Sequence, residues 1–229
     1  MPGYGFWRSL RTIHLTPPKH KFADYTLDPN VEYAKHAISI DENRNDFRRV
    51  PWAPTAAKMN TRDIARNLYF EQVWFAGVHA DVGGGYPENE SRLSDITLRW
   101  MLAAASIIPN GITYDPRVLC IYPDPTGPQH DEHKAGRWQF GERKLPLKDE
   151  KTGISEATMH PSVYERFAAE EVVLYDSLGR YRPENLRKHA DFMHYYEGGD
   201  APANLTGVAD NIERKWAQSK EAGKVIPAG

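Results

Sequence analysis

The sequence predicts a fold of the α/β class, and three features in immediate succession carry that prediction. Residues 72–80, QVWFAGVHA, are almost continuously apolar before their histidine, as in a β-strand that is covered on both faces. The three glycines at 83–85 permit a tight turn. Residues 92–108, RLSDITLRWMLAAASII, then predict a mostly buried helix with Ser94 as its N-cap. A strand, a glycine-rich turn and a helix in this order are typical of α/β proteins.

The elements before this unit are predicted less sharply. Residues 28–44, DPNVEYAKHAISIDENR, predict a helix, because Asp28 can cap it and Pro29 suits its first turn. Residues 47–54, FRRVPWAP, predict an edge strand or an extended link, since their two prolines cannot donate to a ladder. Residues 1–27 are typical of an extended segment, and residues 61–70 of a loop or a weak helical turn.

The second half alternates between loops and short elements. Residues 117–123, RVLCIYP, predict a short strand, and the following stretch to about residue 151 has the composition of a loop. Residues 159–173 predict a helix that begins at Pro161 and Ser162. Residues 180–196 predict a link and then a helix, and residues 199–229 a polar tail or helix.

Composition limits the classes of function. The 229 residues are 40% hydrophobic and carry a net charge of −2, which suits one sizeable core and gives no general attraction to nucleic acid. Cys120 is the single cysteine, so a reducing cytoplasmic location is expected. No apolar run reaches the roughly 20 residues of a membrane span. The first residues lack the features of a signal peptide, so export would need a secretion system that does not read one.

His79 is the principal candidate for chemistry. It directly follows the predicted strand, where α/β proteins place their sites, and an imidazole titrates near neutral pH. Asp81 lies two residues on, and it either faces the same way or pins the glycine loop by accepting its N–H groups. The alternative for His79 is a hydrogen-bonded loop residue without catalytic work. The glycines match neither a dinucleotide fingerprint nor a phosphate-binding loop.

Five blocks in order resemble one family. They are WFAGVHADVGGGYPE, LSDITLRWML, HAISIDENRNDFRRVPW before them, and MHPSV and YRPENL after them. Together they resemble the C-terminal half of the uncharacterised α/β-hydrolase-like domains that include the type VI secretion lipase effectors. The resemblance covers roughly residues 20–190. It implies the C-terminal part of a three-layer α/β-hydrolase-like fold, with an incomplete sheet, helices and long loops.

The resemblance also implies a serine hydrolase of the esterase or phospholipase type, which needs no cofactor and no metal. His79 matches the histidine that follows the last core strand of the family. Asp41 matches an acidic position and is a candidate for orienting the imidazole, although it can equally pair with Arg44 or Arg48. Asp81 is the competing acid.

One departure from the family concerns the nucleophile. Such hydrolases place it in a G-x-S-x-G turn, and none of the nine serines here has that surrounding. We therefore expect residues 1–229 to be one domain fragment, whose N-terminal half is supplied by another chain or lost. Exposed apolar surface is expected where the earlier strands belong. The alternative is a non-catalytic remnant or interaction module.

Three other patterns favour structural roles. The run QHDEH at 129–133 is more typical of a solvated loop than of a metal site. His160 and Ser162 are placed to start a helix. The segment 180–182 suits cation–π or backbone contacts.

Overall fold

The computed structural model describes residues 31–44, 62–63, 68–115, 117–132 and 158–196. Their helices and small sheets agree with the predicted α/β class. The predictions for residues 1–27, 47–54 and 199–229 lie outside the described residues.

A three-stranded sheet carries the site. Its strands are β1 (Tyr33–Ser39), β2 (Arg62–Asp63) and β3 (Leu68–Phe75), and β3 lies in the middle. Strands β1 and β3 run parallel, with Tyr33 opposite Tyr69 and Ser39 opposite Phe75, whereas β2 is antiparallel to β3. The carboxyl ends of β1 and β3 therefore lie side by side.

The helix predicted for residues 28–44 is wrong, because residues 33–39 form strand β1. The apolar spacing that suggested one face of a helix is also compatible with a strand once Ile38 and Ile40 point inward two residues apart. Pairing of the whole of β1 with β3 overrides the helical propensity of the alanines. The loop predicted for 61–70 is likewise replaced in part by β2 and the first residues of β3.

The central strand is covered on both faces, as predicted. Val73 and Phe75 pack into a core cluster with Leu93, Ile96 and Trp100 of the following helix. Trp74 packs on the other face, against a second cluster that comprises Ile40, Ala76 and buried side chains from the range 159–192. Alternate side chains of β3 thus enter different cores, which is the usual result of a two-residue period.

In the part of the chain that the structure describes, three α-helices follow: α1 (His79–Gly83), α2 (Arg92–Ile107) and α3 (Pro161–Ala168). Helix α2 confirms the predicted element, but Ser91 occupies its N-cap position, and the Ser94 hydroxyl inside the helix donates to Ser91 O at 2.9 Å. Helix α3 begins at Pro161 as predicted and ends earlier. The chain becomes extended at Ala169 and forms the hairpin β4 (Val172–Leu174) and β5 (Ser177–Gly179).

Two later predictions are corrected. Residues 117–123 form no strand within the described part of the chain; Val118 is 79% exposed, and Leu119 and Ile121 are half-buried. Residues 184–196 contain short 3-10 turns at Glu184–Leu186 and Met193–Tyr196 in place of a helix. Leu186 and Phe192 are fully buried here, so packing against the core fixes these turns rather than helical propensity. Other apolar side chains are exposed along α2 and the segment after it, namely Leu98, Ile107, Ile112, Tyr114 and Tyr122.

Candidate functional site

Strand β3 ends at Phe75, earlier than the predicted 72–80, and helix α1 presents His79 after the three residues that follow it. Gly77 makes the turn between them with φ of +105°, a conformation that side chains rarely adopt. A Cβ on Gly77 would also lie 2.4 Å from Asp81 Cβ, so the backbone and the helix approach each other more closely than any other residue allows. The chain then enters a five-residue helix at His79. The glycine therefore fixes the position from which His79 projects.

The imidazole of His79 is bonded to Glu42, a residue that the sequence did not single out. His79 Nδ1 lies 2.6 Å from Glu42 Oε2, and the His79 backbone N–H is 3.3 Å from the same oxygen. Glu42 follows the end of β1, and the parallel pairing of β1 with β3 brings it beside α1. The Glu42 side chain is 2% exposed, whereas that of His79 is 44% exposed.

Arg44 holds Glu42 ionised. Its Nε and its backbone N–H donate to Glu42 Oε1 at 2.9 Å, and its Nη2 donates to Oε2 at 3.0 Å. Burial alone would raise the pKa of Glu42, but the hydrogen bonds from Arg44 and His79 outweigh burial and hold that pKa at about 2. An ionised carboxylate only accepts, so His79 must carry its proton on Nδ1 to bond with it. Arg44 Nη2 also lies 2.5 Å from His79 Nδ1 and 3.5 Å from its Nε2, so the guanidinium contacts the imidazole as well as the carboxylate.

Asp41, the predicted acid, is placed differently. It follows strand β1 instead of lying on a helix, and its Oδ2 accepts from the Gly77 N–H at 2.6 Å and from the Tyr181 hydroxyl at 2.8 Å. Burial raises the pKa of Asp41 to about 6, against the hydrogen bonds that lower it. The partner of Arg44 is Glu42, and Arg48 lies outside the described residues. Asp41 therefore braces the turn that precedes His79.

Asp81, the competing acid, ties the start of α1 to a distant loop. Its Oδ2 accepts from the Val78 N–H at 3.0 Å and from the His130 N–H at 3.1 Å. Its Oδ1 lies 2.7 Å from His130 Nδ1. The expected bonds from Asp81 were to the glycine loop at 83–85, whereas these contacts are to Val78 and His130.

A cavity of about 660 Å³ adjoins His79 and Glu42. Residues 35–39 of β1 form one wall, and the end of α1 with Gly83 and Gly84 forms another. Helix α2 contributes Leu98 and Met101, so the space beside the imidazole is largely apolar. Such a cleft suits a ligand with a hydrophobic part next to a polar reacting group.

The remaining patterns have structural roles. The loop 129–132 is packed rather than solvated, which corrects the expectation for QHDEH, and His133 lies outside the described residues. No group of three or more potential metal ligands occurs among the described residues. His160 caps α3 by accepting from the Ser162 N–H at 3.2 Å, and burial lowers the pKa of His160 to about 3. Arg182 stacks 3.7 Å above the ring of Phe167 and donates to two backbone carbonyls.

Glu42 and His130 were missed for different reasons. The helix predicted for 28–44 hid the end of the strand after which Glu42 lies. The adjacent acids of ISIDE, directly after two isoleucines, were the available signal. His130 depends on a contact across 49 residues, for which the sequence offers no local pattern.

The fold and the site together define an α/β protein with a histidine–carboxylate pair at the carboxyl end of parallel strands. Residues 5–104 match the family model of the type VI secretion system (T6SS) described as "Phospholipase effector Tle1-like, catalytic domain". The match confirms the predicted resemblance. It supports a hydrolase-type family that is similar to phospholipases and to T6SS effectors. His79, Glu42 and Arg44 lie inside the matched residues, whereas His130 lies outside them.

The remaining comparisons are narrower. An uncharacterised protein of Saccharomyces cerevisiae is 50% identical over 49 residues, which is 20% of this chain and 7% of that protein. The chain therefore matches only a small part of this relative's length. No solved structure matches. Among the described residues, no helix has both the length and the apolar character to cross a membrane.

Proposed function

We propose that this chain contributes the histidine and its acid to a serine hydrolase of the esterase or phospholipase type. The observation that carries the proposal is the 2.6 Å contact between His79 Nδ1 and Glu42 Oε2, beside an apolar cavity and within the family-like region. A buried carboxylate that fixes the tautomer and orientation of an imidazole is the arrangement by which such hydrolases make a general base.

In this proposal His79 handles the proton in both halves of the reaction. Its Nε2 takes the proton of a serine hydroxyl as the serine oxygen attacks the ester carbonyl. The Glu42 carboxylate stabilises the imidazolium that results, and Arg44 keeps that carboxylate ionised and in place. The imidazolium then returns the proton to the departing alcohol, which leaves the acyl group on the serine. His79 next takes a proton from a water molecule as that water attacks the acyl carbonyl, and it returns this proton to the serine oxygen as the acid departs.

Glu42 replaces Asp41 and Asp81 as the proposed acid. Asp41 is committed to Gly77 and Tyr181, and Asp81 is committed to Val78 and His130. These two aspartates hold the turn on either side of His79, so their part in catalysis is to position it.

The nucleophile is proposed to come from polypeptide outside this sequence. Several described serines use their hydroxyls locally: Ser94 donates to Ser91 O, Ser106 to Ala103 O and Ser177 to Leu174 O. Residues 1–229 would then be one hydrolase-like domain fragment of the three-layer fold, family-like over 20–190. A second segment, on another chain or the same longer chain, would complete its sheet and site.

The proposed substrates are lipids or other esters whose acyl part enters the cavity, and no cofactor is used. The matched family suggests delivery by a T6SS after synthesis in the cytoplasm. This route needs no signal peptide.

Reconstitution tests the proposal. Segments that carry a G-x-S-x-G turn, taken from the coding sequence next to this one, would be added in trans or fused, and ester and phospholipid hydrolysis would be measured. We expect activity that His79→Asn lowers by about 10⁴-fold or more. His194→Asn, at an exposed histidine, is the matched control and should keep full activity. Activity that is indifferent to His79 would refute the role assigned to it.

The absence of G-x-S-x-G from the 229 residues favours a second candidate, a remnant or interaction module that retains the scaffold without catalysis. The two differ in one result. A folded complex with a serine-bearing segment that hydrolyses no ester would favour the remnant.

A further inference from the structure

A second histidine, His130, contacts the Asp81 side chain of α1, and Glu132 in the same loop lies 4.0 Å from Arg44 beside the proposed catalytic pair. The Nδ1 of His130 is 2.7 Å from Asp81 Oδ1, and its Nε2 is 3.1 Å from Glu90 Oε2. A neutral imidazole donates from only one nitrogen, so it can satisfy only one of these carboxylates. The doubly protonated ring satisfies both. The geometry therefore matches an imidazolium.

Two further contacts join the loop that carries His130 to Tyr86, the residue after the glycines at 83–85. The ring of Tyr86 stacks on that of His130 with centroids 3.5 Å apart and 16° between the planes. The Tyr86 hydroxyl donates to Glu132 Oε1 at 2.7 Å. An aromatic face over a cation stabilises the charged form, so Tyr86 favours the same protonation state as the two carboxylates.

Asp81 connects this cluster to the proposed catalytic histidine. It is buried, and it accepts from the N–H of Val78, the residue before His79, as well as from His130. An unpaired carboxylate at this depth would be costly, and the imidazolium of His130 compensates its charge. The position of α1, and hence the reach of His79 to Glu42, depends on that compensation.

We propose that His130 is a positioning residue that works in its doubly protonated form, clamping the α1 turn so that His79 stays on Glu42. The clamp itself is independent of activity, whereas its consequence for catalysis rests on the proposed function.

The surroundings of His130 set the sign of the pH dependence. Burial lowers its pKa, but the hydrogen bonds and charges of Asp81 and Glu90 outweigh burial, so the folded-state pKa is raised. Stability from the clamp is therefore complete below the unfolded value of about 6.5 and is lost as pH rises through the folded pKa. Charged and titratable groups near the ring come from four parts of the chain: Asp81 on α1, Tyr86 and Glu90 in the turn after it, Asp131 and Glu132 in its own loop, and Arg180 and Arg182, which share a cavity of about 290 Å³ with it.

For the proposed enzyme the clamp predicts a basic limb in the pH profile. Loss of the second proton of His130 would release α1, so activity would fall as pH rises through the folded-state pKa of His130.

Nuclear magnetic resonance of the 229-residue chain, labelled with ¹⁵N in its histidine rings, tests the clamp directly. We expect the ring signals of His79 to change with the same midpoint at which His130 titrates. Glu90→Gln, which removes one carboxylate, should lower that midpoint by about half a pH unit or more for both histidines. Glu88→Gln is the matched control in the same turn, since Glu88 pairs with Arg92, and it should leave the midpoint unchanged.

The proposal is overturned if the His79 signals do not follow the titration of His130, or if Glu90→Gln and Glu88→Gln behave alike. His130→Asn should abolish the change in the His79 signals that shares the midpoint of the His130 titration. If that variant does not fold, the pair of glutamine variants decides. Coupled titration without hydrolysis in the reconstituted complex would keep the clamp and reject the proposed enzyme, and hydrolysis with a basic limb unmoved by Glu90→Gln would reject the clamp.

Discussion

Helix α1 joins two histidine–carboxylate pairs that are arranged in opposite ways. In one pair the helix supplies the histidine, His79, and the strand end supplies Glu42. In the other pair the helix supplies the carboxylate, Asp81, and a distant loop supplies His130. The side chain of His79 is 44% exposed beside a cavity, whereas that of His130 is 17% exposed with both nitrogens at carboxylates.

The difference teaches what would separate a catalytic histidine from a structural one in the same neighbourhood. Both rings are held by a buried carboxylate and both line a cavity, so neither feature alone identifies a base. The more exposed ring, beside the larger cavity, is the proposed base, and the ring with acceptors at both nitrogens is the proposed clamp.

The largest expected effect comes from replacing the proposed acid by its amide. In the reconstituted enzyme, Glu42→Gln should lower kcat by roughly 10³–10⁴-fold, because an amide can donate to Nδ1 and stabilise the wrong tautomer. Asp41→Asn is the matched substitution one residue away, and we expect it to cost less than about tenfold, because one amide oxygen can accept both bonds that Asp41 Oδ2 now accepts.

Steady-state kinetics with a soluble ester would measure both variants. If Asp41→Asn lowered kcat more than Glu42→Gln did, Asp41 would be the acid, and the distinction drawn between these two adjacent residues would be wrong.

The next effect concerns the His130 side and the loop that carries it. Arg166 is fully buried on α3 and donates to the carbonyls of Pro125 and Gly127 at 2.6 and 2.9 Å and to that of Val173 at 2.9 Å. Arg166→Met should lower the free energy of unfolding by about 3–5 kcal/mol, because several buried carbonyls lose their donors together.

Urea denaturation followed by circular dichroism would measure this loss. Arg117→Met, at an exposed arginine that pairs with Asp115, is the control and should have no resolvable effect. A mild effect of Arg166→Met would mean that the loop before His130 is held by other contacts.

The smallest effect separates the two glycine positions around α1. Gly77→Ala should cost about 2–4 kcal/mol, from a strained positive φ and from the contact of the new methyl group with Asp81. Gly83→Ala should be neutral or stabilise by about 0.5 kcal/mol, since nothing lies within 4 Å of its added Cβ and the position is helical.

Thermal unfolding would rank the two alanine variants. Because Gly77→Ala pushes on Asp81, it should also disturb the signals of both histidines, whereas Gly83→Ala should disturb neither. Equal stabilities would indicate that the turn relaxes freely, and that α1 does not couple the two pairs.

The sequence predicted the part of this arrangement that depends on local patterns. The strand before His79, the glycine turn and helix α2 follow from an uninterrupted apolar run and a helical period over many residues. Strand β1 did not follow, because the alanines and isoleucines of 34–40 satisfy both periods and only pairing with β3 decides between them. His79 was found because it directly follows the apolar run that predicts the strand. The acid was assigned to Asp41 instead of its neighbour Glu42, because successive side chains at a strand end point in opposite directions.

The seven positions from Gly77 to Gly83 also limit how this protein can vary. Gly77 is fixed by its φ and by Asp81, Val78 by its amide and its burial, and Val82 by the core. With His79 and Asp81 tied to partners, a saturation library across these codons should return diversity chiefly at Ala80 and Gly83. This stretch resembles a flexible glycine loop in sequence, yet under selection it would then tolerate fewer substitutions than most other parts of the gene.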